Sequence, residues 1–142
     1  MLKDALFSKT NLPLINKSLD ASMLRSRVIA NNIANVNTPG FRRVEVKFED
    51  ELRKALDGAR LKGKRTDEKH LKAGRSNIRD VNATAYNPYD PTLPSGVNNV
   101  DIDMEMAKLA ETQIMFNYAA RFSQGTYRKL NASIQARSIP LQ

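Results

Sequence analysis

The last third of this chain repeats with a period that only a helix satisfies. Met106, Leu109, Gln113, Phe116, Ala120, Ser123, Tyr127, Leu130 and Ile134 follow one another at steps of three and four. Such steps stack side chains on one helical face, so about Asp101 to Ala136 predicts a long amphipathic helix. Asp101, Asp103 and Glu105 stand at its start, where carboxylates cap free N–H groups and meet the positive end of the helix dipole. Arg128, Lys129 and Arg137 give the end the matching polarity. Gly125 weakens the interior by about 1 kcal/mol relative to Ala. Pro140 ends any helix.

A second repeat opens the chain. Ile15, Leu19, Ser22, Ser26, Ile29, Ile33 and Val36 form a heptad seam, widened by Met23 and Ala30. Pro13 suits a first helical turn, because its missing N–H would be unpaired there anyway. A helix from Pro13 to Val36 would be roughly 36 Å long. It meets a dense stop, Asn35-Val36-Asn37-Thr38-Pro39-Gly40. Asn tolerates the left-handed conformation that closes helices. Pro39 pushes Thr38 out of the helical region, and Pro39-Gly40 has the order of a type II turn.

Between the helices the pattern changes. Val44, Val46 and Phe48 alternate with Glu45 and Lys47, a short strand signature. Phe48 to Leu56 reads as a short helix with Leu52, Ala55 and Leu56 on one side. Arg60 to Arg79 holds eight basic residues against Asp67 and Glu68. Ala85 to Asn99 carries Pro88, Pro91, Pro94 and Gly96 and predicts an extended linker. The expected fold is therefore mainly α: an antiparallel pair of long N- and C-terminal helices in a coiled coil, with a loop-rich central insertion. The parts run over 1–40, 41–98 and 99–142. Two helices cannot cover both of their seams. The apolar surface left over, including Met104, Met115 and Tyr118, is expected to meet other chains.

Composition excludes much chemistry. There is no Cys, hence no disulfide or thiolate site. The first residues carry Asp4, Lys9 and Lys17 where a secretory signal needs an apolar run, so no cleaved signal is expected. No segment approaches the roughly 18 apolar residues of a membrane span. The net charge of +8 fits nucleic acid or anionic lipid, but a solvated basic surface explains it as well.

No catalytic constellation emerges. His70 is the only histidine, flanked by Lys69 and Lys72, which disfavour a metal; a surface histidine is the simpler reading. Glu49, Asp50 and Glu51 open the short helix, where carboxylates are expected without any acid–base role. Ser8, Ser18, Ser22 and Ser26 have no nearby base, and no Walker, GxGxxG or GxSxG pattern occurs. No cofactor, metal or small-molecule substrate is implied. The basic stretch is the alternative, a helical nucleic-acid-binding protein. It lacks aromatic residues for base stacking and does not continue a zipper helix.

The Asn cluster is less easily absorbed. A C-cap accounts for Asn35 or Asn37 but does not require Asn31 and Asn32. Carboxamides both donate and accept, so a stripe of them can bind an adjoining helix end without adding charge. That suits a contact between repeated subunits.

Ala30-Asn31-Asn32-Ile33-Ala34-Asn35-Val36-Asn37-Thr38-Pro39-Gly40-Phe41 closely resembles the N-terminal signature of flagellar axial proteins, the rod, hook and hook-associated proteins. Asn98 to Asp103, followed by Glu105 to Glu111, narrows the resemblance to the proximal rod proteins of the basal body. Arg42 to Phe48 also fits a rod protein, and Thr66 to Leu71 resembles a segment common among them. The resemblance implies a D0-type coiled coil of the two termini and a structural subunit of a hollow, torque-transmitting tube. It implies export by the flagellar type III apparatus without a cleaved signal, and assembly in the periplasm. The implied partners are other rod subunits, the adaptor FliE and the MS-ring region. Seams and signature together mark the expected assembly interface. On the N-terminal side it comprises Ile29, Asn31, Asn32, Ile33, Asn35, Asn37, Thr38, Pro39, Gly40 and Phe41. On the C-terminal side it comprises Met106, Leu109, Gln113, Phe116, Tyr127 and Leu130.

Overall fold

The computed structural model describes residues 11–60, 78–89 and 97–135. In chain order they form helix α1 (Leu12–Ala34), strand β1 (Glu45–Lys47), helix α2 (Glu49–Arg60), a 3-10 turn (Ile78–Asp80), strand β2 (Thr84–Tyr86) and helix α3 (Ile102–Ile134). The interior of the basic stretch, residues 61–77 with His70, lies outside the described residues. So do Pro91, Pro94, Gly96, Arg137 and Pro140.

Helix α1 carries Pro13 in its first turn and ends at Ala34, two residues before the expected Val36, with Asn35 as its C-cap. The Asn35 N–H turns back to the carbonyls of Asn31 and Asn32. The Phe41 N–H then reaches the Thr38 carbonyl at 3.3 Å, and Gly40 takes a φ of 73°. That is the expected type II turn, with Gly at the position that demands positive φ.

Helix α1 buries two faces. One packs Ala21 against Phe48, Ala55 and Val81, with Leu52 and Ala83 beside them. Lys17 Nζ donates to Asn82 Oδ1 at 2.8 Å, and Arg25 Nη2 grips both Glu49 oxygens at 2.7 and 2.8 Å. The other face, with Ser22, Ile29 and Asn32 buried, turns to α3. The two long helices are antiparallel. Asn32 touches Glu105, while Arg25 and Ile29 border the same groove as Thr112 and Met115. Among the described residues, no helix is long and apolar enough to cross a membrane.

Three details differ from the sequence expectation. Strand β1 is not alone: it pairs antiparallel with β2, Glu45 opposite Tyr86 and Lys47 opposite Thr84. An isolated strand leaves a row of backbone groups unpaired, and Thr84-Ala85-Tyr86 supplies the partner. The predicted linker therefore starts after Tyr86, not at Ala85. Helix α2 reaches Arg60, and Leu56 lies at 42% exposure rather than on the buried side with Phe48 and Ala55.

The third difference is the phase of α3. Its buried residues are Glu105 and Thr112; Lys108, Leu109, Phe116, Ala119, Ala120, Ser123, Gly125, Thr126, Leu130 and Ala132 are half-buried. Met106 and Gln113, placed on the seam by the apolar repeat, are exposed. The contact line runs through the residues just before them. Polar side chains hold it, and a count of apolar residues misses them.

Candidate assembly interface

The α1–α3 contact is built around one buried carboxamide. Asn32 Nδ2 donates to Glu105 Oε2 at 2.8 Å and to the Val44 carbonyl at 2.8 Å; its Oδ1 accepts from the Val44 N–H at 3.0 Å. Asn32 thus uses both ends of its amide to join α1, α3 and the approach to β1. Such a group is stable in an apolar contact only when fully bonded. Ser22 and Thr112 meet the same demand by donating to the carbonyl four residues back, at 2.9 and 2.7 Å. They are small and satisfied within their own helices, so the two backbones can approach closely.

Glu105 passes the contact onward. Its Oε1 lies 3.2 Å from Lys108 Nζ, which lies 3.1 Å from Glu45 Oε1. Glu45 also meets Arg43 at 3.3 Å and accepts from Tyr86 Oη at 2.9 Å. Lys47 Nζ sits 4.1 Å from the centre of the Tyr86 ring, a cation–π distance. Burial pushes the Glu45 carboxyl up. The hydrogen bonds from Lys108 and Tyr86 and the charges of Lys108 and Arg43 outweigh it, so Glu45 titrates below the usual glutamate value. The hydrogen bond to Glu45 and burial push the Tyr86 hydroxyl up. Burial likewise opposes, and Arg25 reverses, the shift at Glu49, which also lies low.

A second clamp closes the helix stop. Asn98 Nδ2 lies 2.8, 2.8 and 3.0 Å from the carbonyls of Asn35, Val36 and Thr38. These are groups that the end of α1 leaves without helical partners. Its Oδ1 accepts from the Val100 N–H at 2.8 Å, and Asn99 Oδ1 accepts from the Arg43 N–H at 2.7 Å. Asp101 then caps α3, accepting from the N–H groups of Asp103 and Met104. The expected capping role thus holds for Asp101. Glu105 is no cap: it is buried against Asn32.

The expected interface residues separate into three groups. Ile29 and Asn32 are buried inside the subunit, and Ile33, Asn35, Phe41, Leu109, Phe116 and Leu130 are half-buried. Asn31, Asn37, Thr38, Pro39, Gly40, Met106, Gln113 and Tyr127 are exposed. Asn35 Nδ2 donates to the Asn31 carbonyl at 2.8 Å, and Thr38 Oγ1 to Asn35 Oδ1 at 3.2 Å, so these two fasten the turn. The chemistry foreseen for the Asn stripe, a carboxamide on an adjoining helix end, is present at Asn32. The helix end belongs to the same chain, and Asn32, fully buried, is out of a neighbour's reach. Glu45, Asn98, Asn99, Glu105, Lys108 and Thr112 were missed as contact residues. Periodicity does not register polar pairs, although the spacing of Asn98-Asn99 just before a helix start is a capping signal.

A groove of about 420 Å³ opens between α1, β1 and α3. Val28, Val44, Val46 and Met115 give it apolar walls; Arg25, Glu49, Lys108 and Glu111 stand around them. Arg25 and Lys108 are already engaged by Glu49, Glu45 and Glu105. Among the described residues no group of His, Cys, Asp and Glu could hold a metal ion.

The outer surface of α3 is the complement of this polar junction. Ile102, Met104, Met106, Ile114, Met115, Tyr118, Phe122, Tyr127 and Ile134 are each at least 46% exposed. On this helix the two buried residues, Glu105 and Thr112, are polar while nine large apolar side chains stand outside, an exposed apolar surface of the kind that marks contacts with other chains.

The family model described as flagella basal body rod protein matches residues 24–42, the end of α1 with its stop. The chain is 34% identical over 121 residues to the flagellar basal body rod protein FlgB of Borreliella burgdorferi, covering 82% of this chain and 89% of that one. It is 33% identical to FlgB of Borrelia hermsii over 88% of this chain and 96% of that one. With FlgB of Bacillus subtilis the identity is 32%, over 89% and 93%. Two long terminal helices, an Asn-rich stop and this likeness over nearly the whole of each relative lead to one conclusion: the chain belongs to the FlgB family of flagellar basal body rod proteins.

Proposed function

We propose that this chain is a structural subunit of the proximal rod, joining other rod subunits into a hollow tube that transmits torque. The observation that carries this reading is the exposed apolar surface of α3. Its two fully buried residues, Glu105 and Thr112, are polar and bonded, while large apolar side chains from Met104 to Ile134 stand exposed on its outward faces. In the proposed tube the outward faces become subunit contacts, and the Asn32–Glu105 junction keeps the helix pair together under load. The adaptor FliE and the MS-ring region are the proposed neighbours at the base. Export through the flagellar type III apparatus without a cleaved signal, and assembly in the periplasm, belong to the same reading. No observation favours the nucleic-acid alternative.

The test replaces the resident gene of a motile bacterium with Met106→Asp or Tyr127→Asp variants. Both side chains are about half exposed in the single subunit, so the purified variants should keep their melting temperature. An unpaired charge buried between subunits is costly, so the cells should lack rods and be non-motile. Normal rods and motility in both strains would sink the proposal.

A further inference from the structure

The groove between α1, β1 and α3 is apolar inside and acidic at its rim. Val28, Val44, Val46 and Met115 wall it. Glu45, Glu49, Glu105 and Glu111 line it against Arg25 and Lys108, four carboxylates to two cations, a net charge of −2. Both cations are already held by Glu49, Glu45 and Glu105. Glu111 stands in none of the ion pairs among the described residues. On a chain of net charge +8 this is an acidic spot.

The apolar wall does not end at Met115. Tyr118 and Phe122 follow it at steps of three and four, on the same side of α3, and are 58% and 66% exposed. Their direction is set by the helix order. The two long helices are antiparallel, with Asn32 at Glu105 and with Arg25 and Ile29 bordering the same groove as Thr112 and Met115. Continuing that register brings Phe122 beside the first two turns of α1, which begins at Leu12. The exposed flank therefore runs from the start of α1 up to the groove, about 20 Å at 1.5 Å per residue from Leu12 to Arg25. Residues 1–10, outside the described residues, precede that start. Ten residues can span at most about 33 Å, enough to reach the groove. They include Met1, Leu2, Ala5, Leu6 and Phe7, and Lys3 and Lys9 outnumber Asp4.

We propose that residues 1–10 turn back at Asn11 and lie along this flank of their own subunit, with Leu6 against Phe122 and Tyr118, Leu2 at the groove beside Met115, and Lys3 toward Glu111 and Glu49. The segment supplies what the groove lacks, apolar side chains for its walls and cations for its rim. A tethered segment is also held near its seat at an effective concentration on the order of millimolar, an advantage that the same segment of a neighbour does not share. The contact belongs to the assembled subunit and so rests on the rod reading.

The test uses basal bodies isolated from a motile strain that carries this gene. Carbodiimide joins a lysine to a carboxylate only where the two touch, and it needs no substitution. The peptide map of the unaltered chain should show Lys3 joined to Glu111 or Glu49. The chain has no Cys, so a disulfide can report the same contact. On mild oxidation Leu6→Cys with Phe122→Cys should close within one chain and shift it to a faster-running monomer. Leu6→Cys with Tyr127→Cys should not, because Tyr127 stands about 140° around the helix from Phe122. A disulfide-linked dimer would seat the segment on a neighbour and overturn the proposal. Free thiols in the first pair together with no link from Lys3 would also overturn it. Basal bodies that lack the chain would overturn the rod reading, and this contact with it.

Discussion

The side chains of Asn32 and Glu105 meet at 2.8 Å across the α1–α3 contact, with 0% and 1% of their surfaces exposed. This pair, rather than an apolar seam, sets how the two terminal helices face each other. Replacing Asn32 by Ala removes three hydrogen bonds and leaves buried groups of Val44 and Glu105 unpaired. At about 1 kcal/mol or more for each stranded group, the loss should be about 3 kcal/mol in urea unfolding. The cycle of Asn32→Ala with Glu105→Ala should show a coupling of about 1–3 kcal/mol. Additive losses would mean the two residues act independently.

Asn98 should matter almost as much, for a different reason. Its amide N–H groups serve three carbonyls at the end of α1; those of Asn35 and Thr38 also accept backbone N–H groups, so Asn98→Ala strands chiefly the Val36 carbonyl, at about 1–3 kcal/mol. Asn98→Asp keeps the bond from Val100 but turns an acceptor toward the three carbonyls. It should therefore be the worse substitution, with faster amide exchange at Thr38 and Phe41. If Asp proves milder than Ala, the carbonyl contacts are not what Asn98 supplies.

The pH dependence follows from Glu45 and Glu49. Both titrate below the ordinary value of 4.5, held there by cations and hydrogen bonds that outweigh their burial. A depressed folded-state pKa means that the unfolded chain binds protons first on acidification. The stabilisation is therefore complete above the unfolded value and is lost as pH falls through the folded value. The melting temperature should be steady near neutrality and drop on acidification below about pH 5. Glu45→Gln and Glu49→Gln should lower it near pH 7 and flatten the acid limb. An unchanged slope in the double variant would place the acid sensitivity elsewhere.

Much of this architecture is legible in the residues, and the exceptions share a cause. The α1 seam is right in phase, since Ser22 and Ile29 are both buried. The stop at Asn35 to Gly40 reads directly from residue types with narrow backbone preferences. On α3 the apolar repeat finds the helix and only part of the face turned to α1: Leu109, Phe116, Ala120, Ser123 and Leu130 are half-buried, but Met106, Gln113, Tyr127 and Ile134 are exposed. Apolar residues there flank the contact on both sides, and an apolar period cannot tell a surface buried within the chain from one reserved for other chains. The true contact uses Glu105 and Thr112, whose burial depends on partners 73 residues away or on their own backbone. Strand β2 was missed because three residues carry too little pattern to stand out beside a proline-rich stretch.

Gly40 and Gly125 make opposite predictions for the same substitution. Gly40 has a φ of 73°, a conformation that costs a side chain about 1 kcal/mol. Gly40→Ala should therefore lower the stability of the free subunit by about that much and loosen the Thr38–Phe41 turn. Gly125 lies in regular helix with open space around it, so Gly125→Ala should raise the stability of the free subunit by up to about 1 kcal/mol. Measured at a concentration where the chain is monomeric, the pair isolates backbone conformation from packing. A destabilising Gly125→Ala would show that α3 is not regular at that turn.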